Sequence, residues 1–458
     1  MSGKRFGTDG IRGVANRDLT PDLCLGIGYA AGKAMLEDGL TPRAVLGRDT
    51  RLSGTMLGAA LAAGFCSAGV EAVSLGVAPT GAISHAARVG DFGLAAVISA
   101  SHNPAPDNGI KLIAHDGRKV SEEFEARVEA VMHSLPEARV SGGQIGRLVQ
   151  TREPLERYMT DLEPIVPEGL SGLRIAVDGS HGAGHELGPE IFRRLGAEVH
   201  TIGVEPDGMN INAEGGATKP HTIQEFTKSI GAHIGVAFDG DADRAVFSDE
   251  QGRLINGDRT IALWCGHWKA DLDPPVAVGT VMSNTGFERY LESQGIRLER
   301  TSVGDKYVSA KMCELGGLVG GEQSGHLIFS ERGPTGDGLI TALEVLRVLK
   351  RSGRAASEFY GDYVYWPQLL VNLRVTSKEA VANSEPIQQA VVHASERLGT
   401  AGRVNLRPSG TQPVVRLMVE AETYELRDAV SSTLLEVLAQ HAGGEIEGQV
   451  DLTHALGD

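Results

Sequence analysis

The chain has 458 residues, 41% of them hydrophobic and 22% charged, which is ordinary for a globular protein of about two to four domains. Its formal net charge of −16 argues against nucleic acid and anionic membranes as partners, although a local cluster of cations can still bind an anionic small molecule. The four cysteines are widely spaced and form no CxxC pair, which argues against a disulfide framework. The sequence shows neither a signal-peptide core nor an apolar run near the ~20 residues of a membrane helix, so we expect a cytoplasmic location.

Three stretches of the sequence repeat one pattern. Each starts with a short apolar strand that runs into a polar, glycine-bearing loop, at 43–54, 173–184 and 274–286. A helical stretch follows and ends at a glycine before a second strand, at 66–76, 192–203 and 291–304. Glycine suits the end of a helix, and the β-branched residues after it favour a strand. The pattern therefore predicts three β-loop-α-β units of parallel α/β sheets.

Each unit is followed by a third strand that ends in an unusual polar loop. These strand and loop segments lie at 95–104, 233–244 and 316–326. Ligands of open α/β sheets bind at the carboxyl ends of the strands. We therefore expect the three loops to converge on one cleft.

The segment from about Leu369 onward differs from the three repeats. The runs LLVNLRVTS and PVVRLMVEAET favour strands, and YELRDAVSSTLLEVLAQHA favours an amphipathic helix. This composition predicts a smaller C-terminal α+β domain, with residues 444–458 only loosely attached to it. The predicted fold class is α/β, with three similar α/β domains built on mixed sheets plus the C-terminal domain. The predicted domains are 1–152, 153–256, 257–366 and 367–458.

The run DGDADR at 239–244 places three carboxylates, Asp239, Asp241 and Asp243, on alternate residues. A loop that carries them can wrap a hard cation with oxygen ligands, whereas without a cation the like charges repel one another. An EF-hand begins with the same spacing, but it needs glycine where Arg244 stands, and the flanking residues favour strands over helices. A solvated acidic turn is the simpler alternative. We expect a metal site, with Mg²⁺ favoured over Ca²⁺.

The run SASHNP at 99–104 delivers Ser101 from a buried strand into a polar turn. A serine in this position most often caps the turn, which is the simplest interpretation. A hydrolase elbow needs G-x-S-x-G, which does not occur here, and His102 follows Ser101 too directly to act as its base. A serine facing a site with three carboxylates and a cation suggests instead a phosphorylated serine whose phosphoryl oxygens bind the metal.

Two glycine-bearing turns carry arginine. RPSGTQP at 407–413 offers hydroxyls, consecutive backbone N–H groups and a guanidinium, and Arg416 lies two residues past Val414 on the following strand. Such a loop can bind an anion, although a plain β-turn is equally consistent with the sequence. GTDGIRG at 7–13 carries Arg12 and by itself indicates only a turn.

The run GEQSGH at 321–326 alternates Glu322, Ser324 and His326. In an extended segment these three side chains share one face. Together they offer a reader of sugar hydroxyls and a titratable imidazole. An exposed loop histidine that is merely solvated is the simpler alternative.

Five motifs, taken together and in order, resemble those of the α-D-phosphohexomutase superfamily: FGTDGIRG, SASHNP, DGDADR, GEQSGH and RPSGTQP. No single motif is decisive, but the ordered set is highly specific. The glutamine of GEQSGH, the run SVGDKYV at 302–308 and the chain length are typical of bacterial members that act on an amino-sugar phosphate. One departure is Gln412, which stands where the family usually has glutamate and which bears on specificity because it removes a charge.

The resemblance implies four domains arranged in a heart shape around one cleft, and it assigns roles to individual residues. Ser101 would be phosphorylated, and Mg²⁺ would bind its phosphoryl oxygen together with Asp239, Asp241 and Asp243. The implied catalytic residues, besides Ser101, are Arg12, His102, Lys111 and His326. The implied contacts to the sugar and to its non-reacting phosphate are Asp305, Lys306, Glu322, Ser324, Arg407, Ser409, Gly410, Thr411 and Arg416.

The implied reaction is the reversible conversion of glucosamine 6-phosphate into glucosamine 1-phosphate, which feeds UDP-N-acetylglucosamine and cell-wall precursors. Phosphorylated Ser101 passes its phosphoryl group to the sugar, the 1,6-bisphosphate reorients, and its other phosphate restores the phosphoserine. Free sugar 1,6-bisphosphate is the expected activator. The alternatives are a mutase for glucose or mannose phosphates and, less favoured, a sugar-phosphate sensor without turnover. The expected partners are the amino-sugar phosphate, a Ser/Thr kinase acting on Ser101, and a second copy of the chain in a homodimer.

Overall fold

The computed structural model describes residues 5–7, 9–132, 139–360, 363–375, 377–408 and 414–453. Four sheets follow one another along the chain, and each is accompanied by its own helices. Within the residues so described, no helix combines the length and the apolar character that crossing a membrane requires.

The first sheet has six strands: β1 (Ile11–Val14), β2 (Arg43–Arg48), β3 (Glu71–Val77), β4 (Leu94–Ile98), β5 (Asp107–Ala114) and β6 (Leu148–Gln150). Its helices are α1 (Pro21–Glu37), α2 (Leu52–Ala68), α3 (Thr80–Val89) and α4 (Glu122–Met132). The strand order is β1-β5-β4-β2-β3-β6. β2 pairs in parallel with β3 and β4, whereas β5 runs antiparallel to β4.

The second sheet contains β7 (Arg174–Asp178), β8 (Glu198–Ile202), β9 (Ile234–Phe238), β10 (Ala245–Asp249) and β11 (Leu254–Ile255). Its helices are α5 (Glu153–Leu162), α6 (Leu187–Arg194) and α7 (His221–Ser229). The third sheet contains β12 (Val276–Thr280), β13 (Arg297–Thr301), β14 (Val319–Gly321) and β15 (Leu327–Phe329). Its helices are α8 (Gly257–Trp268), α9 (Thr285–Ser293), α10 (Asp305–Leu315) and α11 (Gly338–Ser352).

These three sheets share one strand order, which confirms the predicted repeat of mixed α/β units. The common core runs β3-β2-β4-β5, β8-β7-β9-β10 and β13-β12-β14-β15. In each core the first three strands are parallel, and the fourth is the antiparallel partner that follows the third in the chain. The three polar loops therefore all lie at the carboxyl end of the third strand, where ligands of such sheets bind.

The fourth sheet is fully antiparallel and contains β16 (Gln368–Arg374), β17 (Gly402–Pro408), β18 (Val414–Ala421) and β19 (Glu445–Asp451). Its helices are α12 (Lys378–Asn383), α13 (Glu385–Leu398) and α14 (Tyr424–Ala442). The strand order is β17-β18-β16-β19. The α+β prediction for this domain is therefore confirmed.

The expectation of a loosely attached C-terminal tail was wrong for the residues that the structure describes. β19 pairs with β16 along its length, and Leu452 after it is 1% exposed and packs with Leu370 and Met418. The pairing satisfies an edge of β16 that would otherwise present unpaired backbone groups. Residues 454–458 lie outside the described part of the chain.

The first three sheets share a hydrophobic core, and the fourth has one of its own. Successive residues of β2 point to opposite faces, so Val45 belongs to the cluster that continues into the second and third sheets, while Leu46 belongs to the cluster that includes residues of α1 and α2. The core of the fourth sheet is formed by its own strands together with α13 and α14. The C-terminal domain therefore has a core distinct from that of the first three sheets, as a separately folding unit has.

Asp337 connects helices of the second and third sheets. It caps the N-terminus of α11, accepting hydrogen bonds from Leu339 N at 2.9 Å and Ile340 N at 3.1 Å. The hydroxyl of Tyr158 on α5 also donates to this carboxyl, at 2.8 Å. Burial raises the pKa of Asp337 from 3.8 to about 6 despite these hydrogen bonds.

This raised pKa predicts a pH-dependent stability. A folded carboxyl that keeps its proton up to about pH 6 binds more protons than the unfolded chain does, so the free energy of unfolding should fall as the pH rises from 3.8 towards that value. Asp337→Asn should flatten the fall, whereas Asp116→Asn at an exposed site should not. Urea unfolding at about pH 5 and about pH 6.5 measures the difference. An equally steep fall in Asp337→Asn would contradict the assignment.

Candidate active site

Ser101 lies in the loop between β4 and β5, and it is 1% exposed. Its hydroxyl donates to Asp239 Oδ2 at 2.7 Å, so the side chain faces the acidic loop of the second sheet rather than capping its own turn. The backbone at Ser101 is left-handed, with φ of 51°, a conformation that costs on the order of 1–2 kcal/mol for a residue with a side chain. Ser99 Oγ accepts from Ser101 N at 2.9 Å and helps to hold this geometry.

Arg51, which the sequence analysis missed, fixes the loop that carries Ser101. It is completely buried, and its Nε lies 2.8 Å from Asp49 Oδ2. Asp49 Oδ2 also accepts from the hydroxyl of Ser99 at 2.6 Å. The two terminal nitrogens of Arg51 donate to four backbone carbonyls of the loop, those of Ser101, Asn103, Pro104 and Asp107. The available signal was an Asp-Thr-Arg triplet directly after β2, at the sheet edge where the site was expected.

The three aspartates of the loop between β9 and β10 are buried together. One carboxylate oxygen from each of Asp239, Asp241 and Asp243 lies within 4.8 Å of the others. The flanking elements are strands, which excludes the EF-hand alternative, and the burial excludes a solvated turn. Gly240 lets the loop approach Ser101, because a Cβ at this glycine would lie 2.4 Å from Ser101 O.

The donor set and its charge fit a hard cation. Burial and the two neighbouring carboxylates raise the pKa of Asp239 well above its ordinary value. Burial acts in the same direction on Asp243, but Lys111 and His326 hold the pKa of that carboxyl well below its ordinary value. Asp241 Oδ1 and Asp243 Oδ1 are buried and accept no hydrogen bond from the described residues. Oxygen lone pairs left free among like charges are what an ion such as Mg²⁺ or Ca²⁺ satisfies.

Lys111 lies on β5 beside this cluster. Its Nζ is 3.2 Å from Asp241 Oδ2, 3.5 Å from Asp243 Oδ2 and 3.4 Å from Asp9 Oδ1. Burial lowers the pKa of Lys111, but these three carboxylates outweigh it and raise the pKa above its ordinary value. β1 lies beside β5 in the sheet, which brings Arg12 of β1 close to Lys111. Arg12 pairs with Asp9, a residue that the sequence analysis also missed. Two cations therefore stand next to the serine and the acidic loop.

The two histidines occupy different positions. His102 Nδ1 lies 3.4 Å from Ser101 Oγ, a long contact, and the ring also faces an adjoining cavity. His326 is 6% exposed, and its Nδ1 lies 3.6 Å from Asp243 Oδ2. Burial lowers the pKa of His326, but Asp243 outweighs it and raises the pKa to about 9. The His326 ring therefore lies in contact with the acidic loop through Asp243.

The GEQSGH segment forms a tight hairpin loop, so the expectation of an extended segment was wrong. β14 and β15 pair as an antiparallel hairpin in which Gly321 and Leu327 are the partners next to the loop. Within the loop, Gly325 has a left-handed backbone with φ of 94°. Glu322 N donates to His326 O at 3.0 Å across the loop. Glu322 Oε1 accepts from Gly304 N at 2.9 Å, whereas the His326 ring is turned towards Asp243.

A cavity of about 290 Å³ opens beside the loops and reaches the C-terminal domain. Glu322 and Ser324 line it from the β14–β15 loop, and His102 lines it from the Ser101 loop. Arg407 and Arg416 line it from the fourth sheet, where they face each other across β17 and β18. The cavity is close to the ~300 Å³ at which small-molecule sites begin, and its polar walls suit a sugar phosphate.

The remaining predicted contact residues either do not line this cavity or lie outside the described part of the chain. Asp305 and Lys306 begin α10, and Lys306 Nζ pairs with Glu122 Oε1 at 2.9 Å. Neither is among the described residues that line the cavity. Ser409, Gly410 and Thr411 lie outside the described residues, as does Gln412.

Comparison with protein families divides the chain into four parts. Models of the phosphoglucomutase/phosphomannomutase family match in order: the alpha/beta/alpha domain I at 3–139, domain II at 156–252, domain III at 256–365 and the C-terminal domain at 370–436. The chain belongs to this family.

Two curated relatives of the chain share one activity within this family. The phosphoglucosamine mutases of Bacillus cereus (strain AH187) and Bacillus anthracis (strain CDC 684 / NRRL 3495) are both 42% identical to the chain over 449 residues. The alignment covers 97% of this chain and 100% of each relative. These matches confirm the resemblance to bacterial phosphohexomutases that act on an amino-sugar phosphate.

Solved structures of the family have the same fold. A phosphoglucomutase/phosphomannomutase family protein from Burkholderia thailandensis matches with a TM-score of 0.81 and 25% identity, over 98% of this chain and 100% of that one. N-acetylphosphoglucosamine mutase of Aspergillus fumigatus, in complex with GlcNAc-6P and magnesium, matches with a TM-score of 0.68 and 17% identity. That alignment covers 95% of this chain and 96% of the fungal enzyme.

Proposed function

We propose that the protein is an isomerase that interconverts glucosamine 6-phosphate and glucosamine 1-phosphate through a phosphoserine at Ser101. The observation that carries the proposal is the contact of the Ser101 hydroxyl with Asp239, 2.7 Å away inside a buried cluster of three carboxylates. A phosphoryl group on this hydroxyl would meet the metal that the carboxylates can hold, together with the Lys111 ammonium beside them. The identity to phosphoglucosamine mutases supports the amino sugar as substrate.

The proposed metal is one Mg²⁺ held by Asp239, Asp241, Asp243 and a phosphoryl oxygen on Ser101. When bound, it would neutralise charge on the transferring phosphoryl group as a Lewis acid. Lys111 and Arg12 stand on the first sheet beside the same atoms, where they would stabilise charge as the phosphoryl group moves. His326, whose Nδ1 lies 3.6 Å from Asp243 Oδ2, would donate a hydrogen bond to an oxygen of the sugar.

In the proposed reaction the phosphoryl group leaves Ser101 Oγ and bonds to the C1 hydroxyl oxygen of the 6-phosphate, while that hydroxyl loses its proton and Ser101 Oγ gains one. The resulting 1,6-bisphosphate then turns end over end, and its 6-phosphoryl group returns to Ser101. Glu322 and Ser324 would grip the sugar hydroxyls in either orientation. Arg407 and Arg416, with the predicted loop residues Ser409, Gly410 and Thr411, would hold the phosphate that is not reacting.

The four-part division at residues 152, 256 and 366 gives each functional loop its own domain and is part of the proposal. So are the activating sugar 1,6-bisphosphate, a kinase as the source of the first phosphoryl group, a homodimer and a cytoplasmic location. A mutase of glucose or mannose phosphates is the second candidate, because the same superfamily and site geometry serve it. A sensor without turnover is disfavoured by the complete set of Ser101, Lys111 and the aspartates.

The reaction can be tested directly by ³¹P NMR. Purified protein, Mg²⁺, glucosamine 6-phosphate and a trace of the 1,6-bisphosphate should give the 1-phosphate resonance and reach the same mixture from either side. Omission of the bisphosphate should slow the approach to equilibrium unless Ser101 is already phosphorylated. If no 1-phosphate forms with phosphorylated Ser101, the proposed function is wrong.

The metal site makes a separate prediction about stability. Asp239→Asn removes a carboxylate whose ionisation is opposed by burial and by its two acidic neighbours, so it should raise the stability of the metal-free protein. The same variant should lose the stabilisation by Mg²⁺, which for the unsubstituted chain is about 2.7 kcal/mol at a hundredfold excess over Kd. Thermal unfolding with and without MgCl₂ measures both effects, with Asp271→Asn at an exposed position as control. Equal Mg²⁺ stabilisation in Asp239→Asn would contradict the site.

A further inference from the structure

The C-terminal domain joins the rest of the chain at one hinge. The chain enters the domain at Gln368, and the last strand returns beside it, with Leu452 N donating to Gln368 O at 2.8 Å. The side chain of Thr453 also accepts from Gln368 N at 3.1 Å. The hydroxyl of Tyr365, just before the domain, donates to Leu452 O at 3.2 Å. The first and last strands of the domain are therefore fastened together next to the segment through which the chain enters it.

Gln323, in the middle of the β14–β15 loop, reaches this hinge. Its side chain is 5% exposed, and its Nε2 donates to the Tyr365 hydroxyl and to Gln368 Oε1, the latter at 3.2 Å. The amide of Gln368 in turn donates to Met282 O at 2.8 Å. Gln323 thus holds the residue before the hinge and the first residue of β16 at the same time.

The neighbours of Gln323 in the chain face the cavity. Glu322 and Ser324 line it together with Arg407 and Arg416 of the C-terminal domain. The backbone of the loop is itself tightly seated, because Gly257 N donates to Gln323 O at 3.0 Å and a Cβ at Gly257 would lie 1.9 Å from Glu322 O. The loop that carries Glu322 and Ser324 is therefore fixed at Gln323 through both its backbone and its side chain.

Other contacts across this boundary bypass the β14–β15 loop. Glu420 on β18 accepts from Thr285 N at 3.0 Å, and Arg403 on β17 donates to Val281 O at 2.6 Å. These contacts attach the C-terminal domain to the segment after β12. These contacts would hold the domain in place, but they would not couple its position to the β14–β15 loop, which would bind the sugar.

We propose that Gln323 is a positioning residue that couples the β14–β15 loop to the orientation of the C-terminal domain. This inference rests on the proposed function, because its purpose is to keep Glu322 and Ser324 in register with Arg407 and Arg416 while the bisphosphate turns. A loop uncoupled from the hinge would lose its grip on the sugar when the domain opens. The intermediate would then escape more often before it rephosphorylates Ser101.

The test compares Gln323→Met, Tyr365→Phe and the double variant. Methionine has nearly the volume of glutamine but donates no hydrogen bond, and phenylalanine removes only the hydroxyl. Each single change should raise the bisphosphate released per turnover about tenfold, with an unchanged single-turnover rate of transfer from phosphorylated Ser101. The double variant should release less than the two single effects combined, because the hydrogen bond between Gln323 and Tyr365 is lost in both single variants.

Thr285→Ala is the matched control, since it removes a hydroxyl that donates to Glu420 across the same domain boundary and leaves Gln323 untouched. It should change bisphosphate release less than about twofold. Equal release from Thr285→Ala and Gln323→Met, or additive effects in the double variant, would overturn the coupling. Unchanged release from Gln323→Met would overturn it as well.

Hydrogen exchange separates this inference from the proposed function. Without any ligand, Tyr365→Phe should speed exchange at Glu322 N and Gly325 N, the hydrogen-bonded amides of the loop, while Thr285→Ala should not. If the unsubstituted protein transfers no phosphoryl group but the exchange pattern holds, the function fails and the coupling stands. If exchange at these amides is unchanged in Tyr365→Phe, the coupling fails whatever the activity.

Discussion

Ser101→Ala abolishes turnover if the serine carries the phosphoryl group, because no other nucleophile in the described site is placed to replace it. The methyl group leaves the loop and the three aspartates intact, so the protein should still fold and bind Mg²⁺. We expect kcat to fall by at least about 10⁴-fold, the scale on which loss of a covalent nucleophile is felt. The measurement is the rate of 1-phosphate formation with saturating Mg²⁺ and added 1,6-bisphosphate.

Two controls make this result specific to Ser101. Ser67→Ala changes a serine whose hydroxyl bonds only to Gly64 O within α2, and it should keep full activity. Mass spectrometry of the unsubstituted chain after incubation with the bisphosphate should find one added phosphoryl group, on the peptide that contains Ser101. Near-full activity of Ser101→Ala, or phosphorylation elsewhere with turnover intact, would end the phosphoserine mechanism.

Arg51→Lys is expected to have the second-largest effect. It keeps the positive charge beside Asp49, but one ammonium cannot reach four carbonyls and a carboxylate at the same time. The loop would then no longer hold Ser101 in its left-handed conformation. We expect kcat to fall about 100-fold and the free energy of unfolding to fall by about 3 kcal/mol.

Activity assays and urea unfolding of the same preparation measure kcat and the free energy of unfolding separately. Arg127→Lys is the matched control, because Arg127 also forms a two-pronged pair, with Asp38, but at an exposed position. Exposed pairs contribute about 0–1 kcal/mol, so this variant should keep both activity and stability. A kcat for Arg51→Lys within about twofold of the original would show that the loop needs no such support.

Much of the fold could be predicted because the apolar runs are short and are bounded by glycines and polar turn residues. The strands at 43–48, 174–178 and 276–280 are apolar on both faces, as buried parallel strands are, and glycine marks the end of each following helix. β19 escaped prediction because its sequence, EIEGQVD, has few apolar residues. Its place is decided by pairing with β16, a long-range contact that local pattern does not encode.

The residues of the candidate site likewise fall into those that local sequence indicates and those that it does not. Ser101 and the three aspartates could be singled out because unusual residue types follow the ends of predicted strands. Arg51 and Asp9 could not, because their importance comes from contacts with loops that are distant in sequence or on another strand. The extended form of GEQSGH was wrong because the hairpin of β14 and β15 needs a tight turn at Gly325.

The central claim is that the substrate is an amino-sugar phosphate. It is tested most directly by kcat/KM for glucosamine 6-phosphate, glucose 6-phosphate and mannose 6-phosphate, with Mg²⁺ and a trace of the matching bisphosphate. The account predicts a preference of about a hundredfold for the amino sugar, which is about 2.7 kcal/mol in transition-state binding and would show that Gln412 is tolerated. Equal or greater kcat/KM on the neutral hexose phosphates would contradict it and place the protein among the mutases of glucose or mannose phosphates.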